Sequence, residues 1–336
     1  MVLHQVSDTI CNSGLGKIWI DVYFQAFDVA PLLSTIVFVF HPISADTRLR
    51  LIAAGLDPDA VAALVRMAVS EDLMGGIDVT SHATIPVAQH SVATLRSRQP
   101  GVVAGLSVAA AVIDTVCGAS GFEYLVSDGD RVDSDQNVGR VTAPTRALLT
   151  AERTALNLLC HLSGVATLTR KWADELEGTG AVVRDTRKTT PGLRALEKYA
   201  VRCGGGTNHR MGLSDMALVK DNHVAAAGGV AEAYALIRSL EGTIPVQIEV
   251  DSLASLAEAI AAGADEVMLD NFDTDGMRAG VAYRNEHAPH VRLEASGGLT
   301  LDIARSVGET GVDYIAVGEL THSASVLDIG LDLTVS

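Results

Sequence analysis

The chain has 336 residues, 48% of them apolar and 20% charged, and carries a formal net charge of −16. Such a composition supports a large buried core and excludes a disordered chain, and its acidity argues against a nucleic-acid partner, which needs a basic face. Cys11, Cys117, Cys160 and Cys203 are scattered without a C-x-x-C pair, so neither metal-ligand spacing nor a disulfide framework is expected, and a reducing cytoplasm is the simplest setting.

Residues 1–47 hold four of the six Phe and one of the two Trp, and differ in texture from the rest of the chain. They read as an extension outside the core fold. Their most apolar run, Val29–Phe40, is shorter than the ~18 residues a membrane span needs and contains Pro31, so no membrane partner is expected. A membrane-associated leader is the alternative.

From about Arg48 the pattern becomes regular. Asp57-Pro58-Asp59 starts a helix that continues through Val61–Val69. His82–Ser97 and Val102–Leu106 read as strands, Val108–Val116 as a buried helix, and Phe122–Val126 and Val138–Thr142 as further strands. Thr145–Leu176 carries a long helical pattern with a break expected at Ser163-Gly164. Short apolar runs then recur at Val182–Val183, Met216–Val219, Val246–Val250, Glu266–Leu269, Val291–Leu293 and Tyr314–Val317. Helical stretches such as Ala225–Leu240 and Leu253–Ala262 separate them, which implies βαβ units, a parallel sheet and a closed or nearly closed barrel. A doubly wound open sheet is the alternative, but no G-x-G-x-x-G follows its first strand.

Chemistry in such barrels sits at the C-terminal strand ends. Arg184–His223 concentrates eight of the chain's 25 Lys and Arg residues there, with only Asp185, Glu197, Asp215 and Asp221 against them. Arg187, Lys188, His209, Arg210 and Lys220 come from separate segments of this stretch, a convergence that suits a small, multiply anionic substrate. Arg194, Lys198 and Arg202 on the intervening helix read as a solvated, salt-bridged face. Glu249 and Asp270 end consecutive strands and could hold Mg²⁺, sugar hydroxyls or both. Ser296, Gly297, Gly298 and Gly318 follow the last two strands, where backbone N–H groups cradle phosphate, and His322 could add a donor. The combination fits a phosphorylated sugar meeting a second anion. Cys203 reads as a packed small hydrophobe and not a nucleophile.

Five blocks carry a resemblance to a family: Ala151–Asn157 (AERTALN), Arg184–Thr189 (RDTRKT), Gly204–Leu213 (GGGTNHRMGL), Met216–His223 (MALVKDNH) and Gly311–Ser323 (GVDYIAVGELTHS). In this order they resemble the quinolinate phosphoribosyltransferases, over everything from about Arg48 onward. The resemblance implies an α/β chain of the type II phosphoribosyltransferase kind, with an N-terminal α/β sandwich domain at 48–152. An incomplete parallel α/β barrel follows at 153–323, and a segment at 324–336 returns to the first domain. It implies conversion of quinolinate and 5-phosphoribosyl-1-diphosphate to nicotinate mononucleotide, diphosphate and CO₂, with Mg²⁺ as cofactor.

By matching positions, Arg153, Arg187, His209 and Arg210 would grip the two carboxylates of quinolinate, with Thr189 also at the substrate. Lys188 and Lys220 would face the diphosphate, joined by Arg96 from the partner subunit of a homodimer. Glu249 and Asp270 would hold ribose hydroxyls and Mg²⁺, and Ser296–Gly298 with Gly318 the 5-phosphate. After Asp128–Val132 the family usually has a Pro-Gly turn, where this chain has Asp133-Ser134-Asp135. Two alternatives are a related transferase that acts on nicotinate or another aromatic acid without decarboxylation, and a non-catalytic phosphosugar-binding subunit.

Overall fold

The computed structural model describes residues 38–119, 121–240 and 244–335. The leader reading of the first residues falls outside them. The first described helix, α1 (Ala45–Ala53), begins inside the segment read as lying outside the fold. Ser44 caps it by accepting from Thr47 N, and the buried Thr47 hydroxyl donates to Asp114 Oδ2 at 2.7 Å. The core therefore starts several residues before Arg48.

Helix α2 (Pro58–Leu73) starts at Asp57, as the Asp-Pro-Asp signal predicts. A short helix α3 (Val79–Thr84) follows, where the sequence suggested the beginning of a strand. Asp78 explains it, because its side chain accepts from Ser81 N at 2.9 Å and caps a turn of helix. Strand β1 is then His90–Ser97 and β2 only Gly101–Val102. Helix α4 takes Leu106–Cys117 and is buried on nearly every side. Strands β3 (Glu123–Tyr124), β4 (Arg131–Val132) and β5 (Asn137–Pro144) complete this part. The turn between β4 and β5 uses Asp135 at φ +65°, a conformation that Asp tolerates, with Asp135 N donating to Ser97 O at 2.8 Å.

Helix α5 runs unbroken from Thr145 to Glu175. Ser163 and Gly164 do not break it, because both serve packing. Ser163 Oγ accepts from Ala104 N at 3.0 Å, and a Cβ on Gly164 would collide with the backbone of Ser325 and Val326. The boundary expected at 152/153 thus falls inside a continuous helix.

The second half alternates as expected: β6 (Val182–Arg184), α6 (Arg194–Cys203), β7 (Ala217–Val219), α7 (Asp221–Ala227), α8 (Val230–Arg238) and β8 (Val246–Val250). Then come α9 (Leu253–Ala262), β9 (Glu266–Asp270), α10 (Thr274–His287), β10 (Arg292–Ser296), α11 (Ala304–Gly308), β11 (Tyr314–Ala316) and α12 (Glu319–His322). The stretch read as one helix over Ala225–Leu240 is two, because Gly228 takes φ +95° and ends α7.

Strands β6 to β11 form one six-stranded parallel sheet in the order β6-β11-β10-β9-β8-β7, with the central residues of all but β7 buried. The last strand, β12 (Ile329–Val335), joins a separate four-stranded antiparallel sheet, β12-β1-β5-β3, with Ile329 opposite Ser97. Helix α5 contributes Leu159, Leu162, Val165 and Trp172, all fully buried. Among the described residues no helix is long and apolar enough to cross a membrane.

Candidate active site

Every strand of the parallel sheet ends at one cavity of about 550 Å³. Thr186, Arg187 and Lys188 follow β6, and Lys220 and Glu249 follow or end β7 and β8. Asp270 ends β9, Ser296–Leu299 end and follow β10, and Gly318, Glu319 and His322 follow β11. His209 and Arg210 enter from the loop after α6, while Leu218 and Met268 supply apolar surface. Parallel strands point their C-terminal residues to one side, so residues distant in sequence converge.

The cationic side is short of counter-charge. Among the described residues Arg187, Lys188 and Arg210 form no ion pair, and Arg187 Nε is buried without a hydrogen-bond partner. Burial and then the neighbouring Arg187 charge pull the Arg210 pKa down. Two guanidiniums that repel each other are poised for an anion. The loops beneath them are tied by buried contacts. Lys198 is fully buried, its Nζ pairing with Asp185 and donating to His209 O at 2.8 Å. The solvated face expected for Lys198 is therefore a buried strut. Arg194 donates to Thr189 Oγ1 and Met211 O, and Arg202 to Asn208 Oδ1 and Ala54 O. Glu197, also buried, accepts from Thr190 N at 3.0 Å.

The acidic centre faces this wall. Lys220 Nζ lies 2.6 Å from Glu249 Oε2. Burial and the Glu249 charge push the Asp270 pKa up, against the pull of Lys220 and Asn271. At the far side Gly297 takes φ +92° and Gly298 φ +62°, and a side chain at Gly318 would press on Lys188 and His322. Positive φ at Gly297 and Gly298 favours glycine where the backbone forms a cradle.

Three residues expected at the site are not part of the cavity wall. Thr189 is held by Arg194. Arg96 lies on β1, 3.4 Å from Asp332. The Arg153 side chain, on α5, is 64% exposed, and among the described residues its ion-pair partner is Glu152, at 4.0 Å. Conversely, Thr186, after β6, and Glu294, on β10, line the cavity although sequence reasoning gave them no role, as it gave none to the buried groups beneath them. His209, Glu266 and Glu294 offer ligand atoms within 4.8 Å of one another, a spacing a metal ion could use. Arg184 Nη1, however, already donates to both carboxylates, at 2.5 and 2.7 Å. The signal for this network was available: Arg184, Gln247, Glu266 and Glu294 interrupt otherwise apolar strands. Cys203 is no nucleophile, since burial pushes its pKa up to about 12.

Comparison with known proteins gives a consistent picture. The family described as "Quinolinate phosphoribosyl transferase, N-terminal domain" matches residues 78–163, and its C-terminal counterpart matches residues 165–332. A Mycobacterium leprae protein named nicotinate-nucleotide pyrophosphorylase [carboxylating] is 51% identical over 277 residues, covering 82% of this chain and 98% of that one. Quinolinate phosphoribosyltransferase [decarboxylating] 1 of Nicotiana glauca is 38% identical over 80% of this chain and 81% of its own. The solved structure of the nicotinate-nucleotide pyrophosphorylase from Francisella tularensis superposes with a TM-score of 0.78 at 37% identity, over 82% of this chain and 96% of that one.

Proposed function

The chain belongs to the quinolinate phosphoribosyltransferase family, and from that premise we propose how its cavity divides the work. The enzyme is a carboxylating nicotinate-nucleotide diphosphorylase of NAD biosynthesis: it joins quinolinate to 5-phosphoribosyl-1-diphosphate, forming nicotinate mononucleotide, diphosphate and CO₂. The observation that carries the assignment of roles is the unpaired Arg187–Arg210 couple beside Leu218 and Met268. It offers two forks for two carboxylates and an apolar surface for an aromatic ring.

In this reading Ser296–Gly298, Gly318 and His322 bind the 5-phosphate, and Lys188 and Lys220 face the diphosphate. Glu249 and Asp270 hold ribose hydroxyls and Mg²⁺. The two carboxylates fit that ion: they are hard oxygen donors at adjacent strand ends, and the repulsion felt by Asp270 is what a cation would relieve. When bound, Mg²⁺ supplies positive charge to the leaving diphosphate. As diphosphate leaves, positive charge develops at the anomeric carbon, and the Glu249 and Asp270 carboxylates stabilise it. No covalent nucleophile is required. Arg187 and Arg210 orient the ring nitrogen for attack, so positioning and electrostatics supply most of the rate. The parallel sheet is read as an incomplete barrel and the antiparallel one, with its helices, as an α/β sandwich domain.

The protein is further proposed to be a cytoplasmic homodimer in which a neighbour completes the cationic wall. Arg96 and Arg153 are the two candidates for the contributed charge. The exposure of Arg153 and its longer ion pair, 4.0 Å to Glu152, support it over Arg96, which Asp332 engages at 3.4 Å. Mixing inactive Arg153→Ala with inactive Lys188→Ala protein should restore activity through hybrid dimers; none returning despite subunit exchange would refute sharing. The division of roles is tested with Arg187→Ala, which should weaken quinolinate and spare the phosphosugar. CO₂ release from quinolinate decides against the nicotinate alternative, and acceptance of nicotinate alone would reverse that choice.

A further inference from the structure

His209 lines the cavity, yet both of its ring nitrogens are engaged from behind. Nδ1 lies 2.7 Å from Arg210 N. A backbone N–H only donates, so Nδ1 must be the acceptor and carries no proton. A neutral imidazole then has its proton on Nε2, which lies 2.8 Å from Gln247 Oε1. The orientation of the Gln247 amide follows from the same logic, since its Nε2 donates to Glu266 Oε1 at 2.7 Å. Glu266 is in turn fixed by Arg184, whose guanidinium stacks 3.8 Å from the Tyr314 ring. Each member can play only one role, so the order of donors and acceptors is determined from Arg184 to His209.

We infer that Gln247 is a positioning residue that locks His209 as its neutral, Nε2-protonated tautomer, so that His209 meets the substrate as an uncharged group. This deepens the quinolinate reading and rests on it for the identity of the substrate. An imidazolium would need a proton on Nδ1, facing the Arg210 N–H, and would have to displace the loop. The charged groups around the ring are Arg184 and Asp185 at the end of β6, Lys198 on α6, Glu266 on β9, Glu294 on β10, and Arg210 with Arg187 beside the cavity. Burial, followed by the Arg184 and Lys198 charges, opposes protonation, while Gln247 and Glu266 pull the other way. Glu294 Oε1, buried and without a hydrogen bond, lies 3.7 Å from His209 Nε2 and leans on the same proton. The positive charge for a dicarboxylate therefore comes from the arginines and lysines, with His209 a fixed neutral wall.

The test is a two-bond ¹H–¹⁵N correlation spectrum of histidine-labelled, unliganded protein between about pH 5.5 and 8, the range in which a free imidazole titrates. His209→Asn assigns the signal. The expected result is the neutral Nε2–H pattern throughout. An Nδ1–H pattern, or titration near the ordinary value, overturns the inference. Gln247→Leu removes the acceptor of the Nε2–H bond, so it should shift the His209 Nε2 signal, leave the ring neutral, and raise the KM for quinolinate by about tenfold while leaving that for the phosphosugar within about twofold. Glu266→Gln, which keeps an oxygen acceptor, should retain the wild-type spectrum. The wild-type spectrum decides even if Gln247→Leu fails to fold. Because it needs no turnover, its failure is separable from failure of the reaction assignment, which CO₂ release reads.

Discussion

Replacing Lys198 by methionine removes a charge but little volume. Its Nζ is fully buried between Asp185 and the His209 carbonyl. Breaking a buried pair by deleting one partner costs ~3–5 kcal/mol, because the remaining charge is left without compensation. Asp185 would keep the His209 N–H at 2.8 Å and the Asn208 amide at 2.5 Å. It is also already displaced by burial towards its protonated form. Both effects soften the penalty, so Lys198→Met is expected at the low end, ~3 kcal/mol. For a chain of this size that corresponds to a Tm lowered by roughly 4 °C, read by circular dichroism alongside the denaturant midpoint. Lys198→Met combined with Asp185→Leu should cost less than the sum of the two single changes by at least ~1 kcal/mol. A single-variant loss below ~1 kcal/mol, or strict additivity, would show that the pair is not the strut beneath the His209–Arg210 loop.

Three further outcomes are expected. Gly164→Ala should lower stability by ~2 kcal/mol or more, because its methyl meets backbone at Ser325–Val326 that has no rotamer to change; an unchanged melt would contradict that close approach. Asp313 is half-buried, which raises its pKa, but hydrogen bonds from Leu293 N, Arg292 and Arg284 outweigh this and hold it below the usual range. Its contribution is therefore present above the unfolded value of about 3.9 and lost as pH falls through the lower folded value. Asp313→Asn should accordingly cost ~2 kcal/mol at pH 7 and progressively less towards about pH 3, in urea titrations; a gap that widens in acid would reverse the sign. Asp270→Asn should lower kcat by about 100-fold and raise the Mg²⁺ needed for half-maximal turnover, and an undiminished kcat would remove Asp270 from the reaction centre.

The strand-end residues were legible because an apolar run followed by Arg-Lys, Glu or Asp says both where a parallel strand stops and what it presents. Arg187, Lys188, Lys220, Glu249 and Asp270 all reach the cavity for that reason. Lys198 was misread because Arg194, Lys198 and Arg202 share one helical face, and spacing does not tell whether that face meets water or the 208–211 loop. Gly164 illustrates a second limit: a glycine needed for close approach looks the same in sequence as one that ends a helix. Arg184, Gln247, Glu266 and Glu294 stand out as polar residues in apolar strands, but both faces of those strands are covered, so alternation does not say which of them meet one another beneath the cavity. Arg153 and Arg96 mark a third limit, since their expected place at the site came from matching positions alone and neither lines the cavity.

The pairing of β12 with β1 has a consequence for the making of the protein. With Ile329 opposite Ser97, the edge of β1 is exposed on the nascent chain until synthesis has run from Ser97 to beyond Ile329, roughly tens of seconds at cellular elongation rates. An unpaired edge invites strand exchange with other nascent chains. Arg96 and Arg98, which later find Asp332 on the closing strand, stand on that edge as charged gatekeepers while it waits.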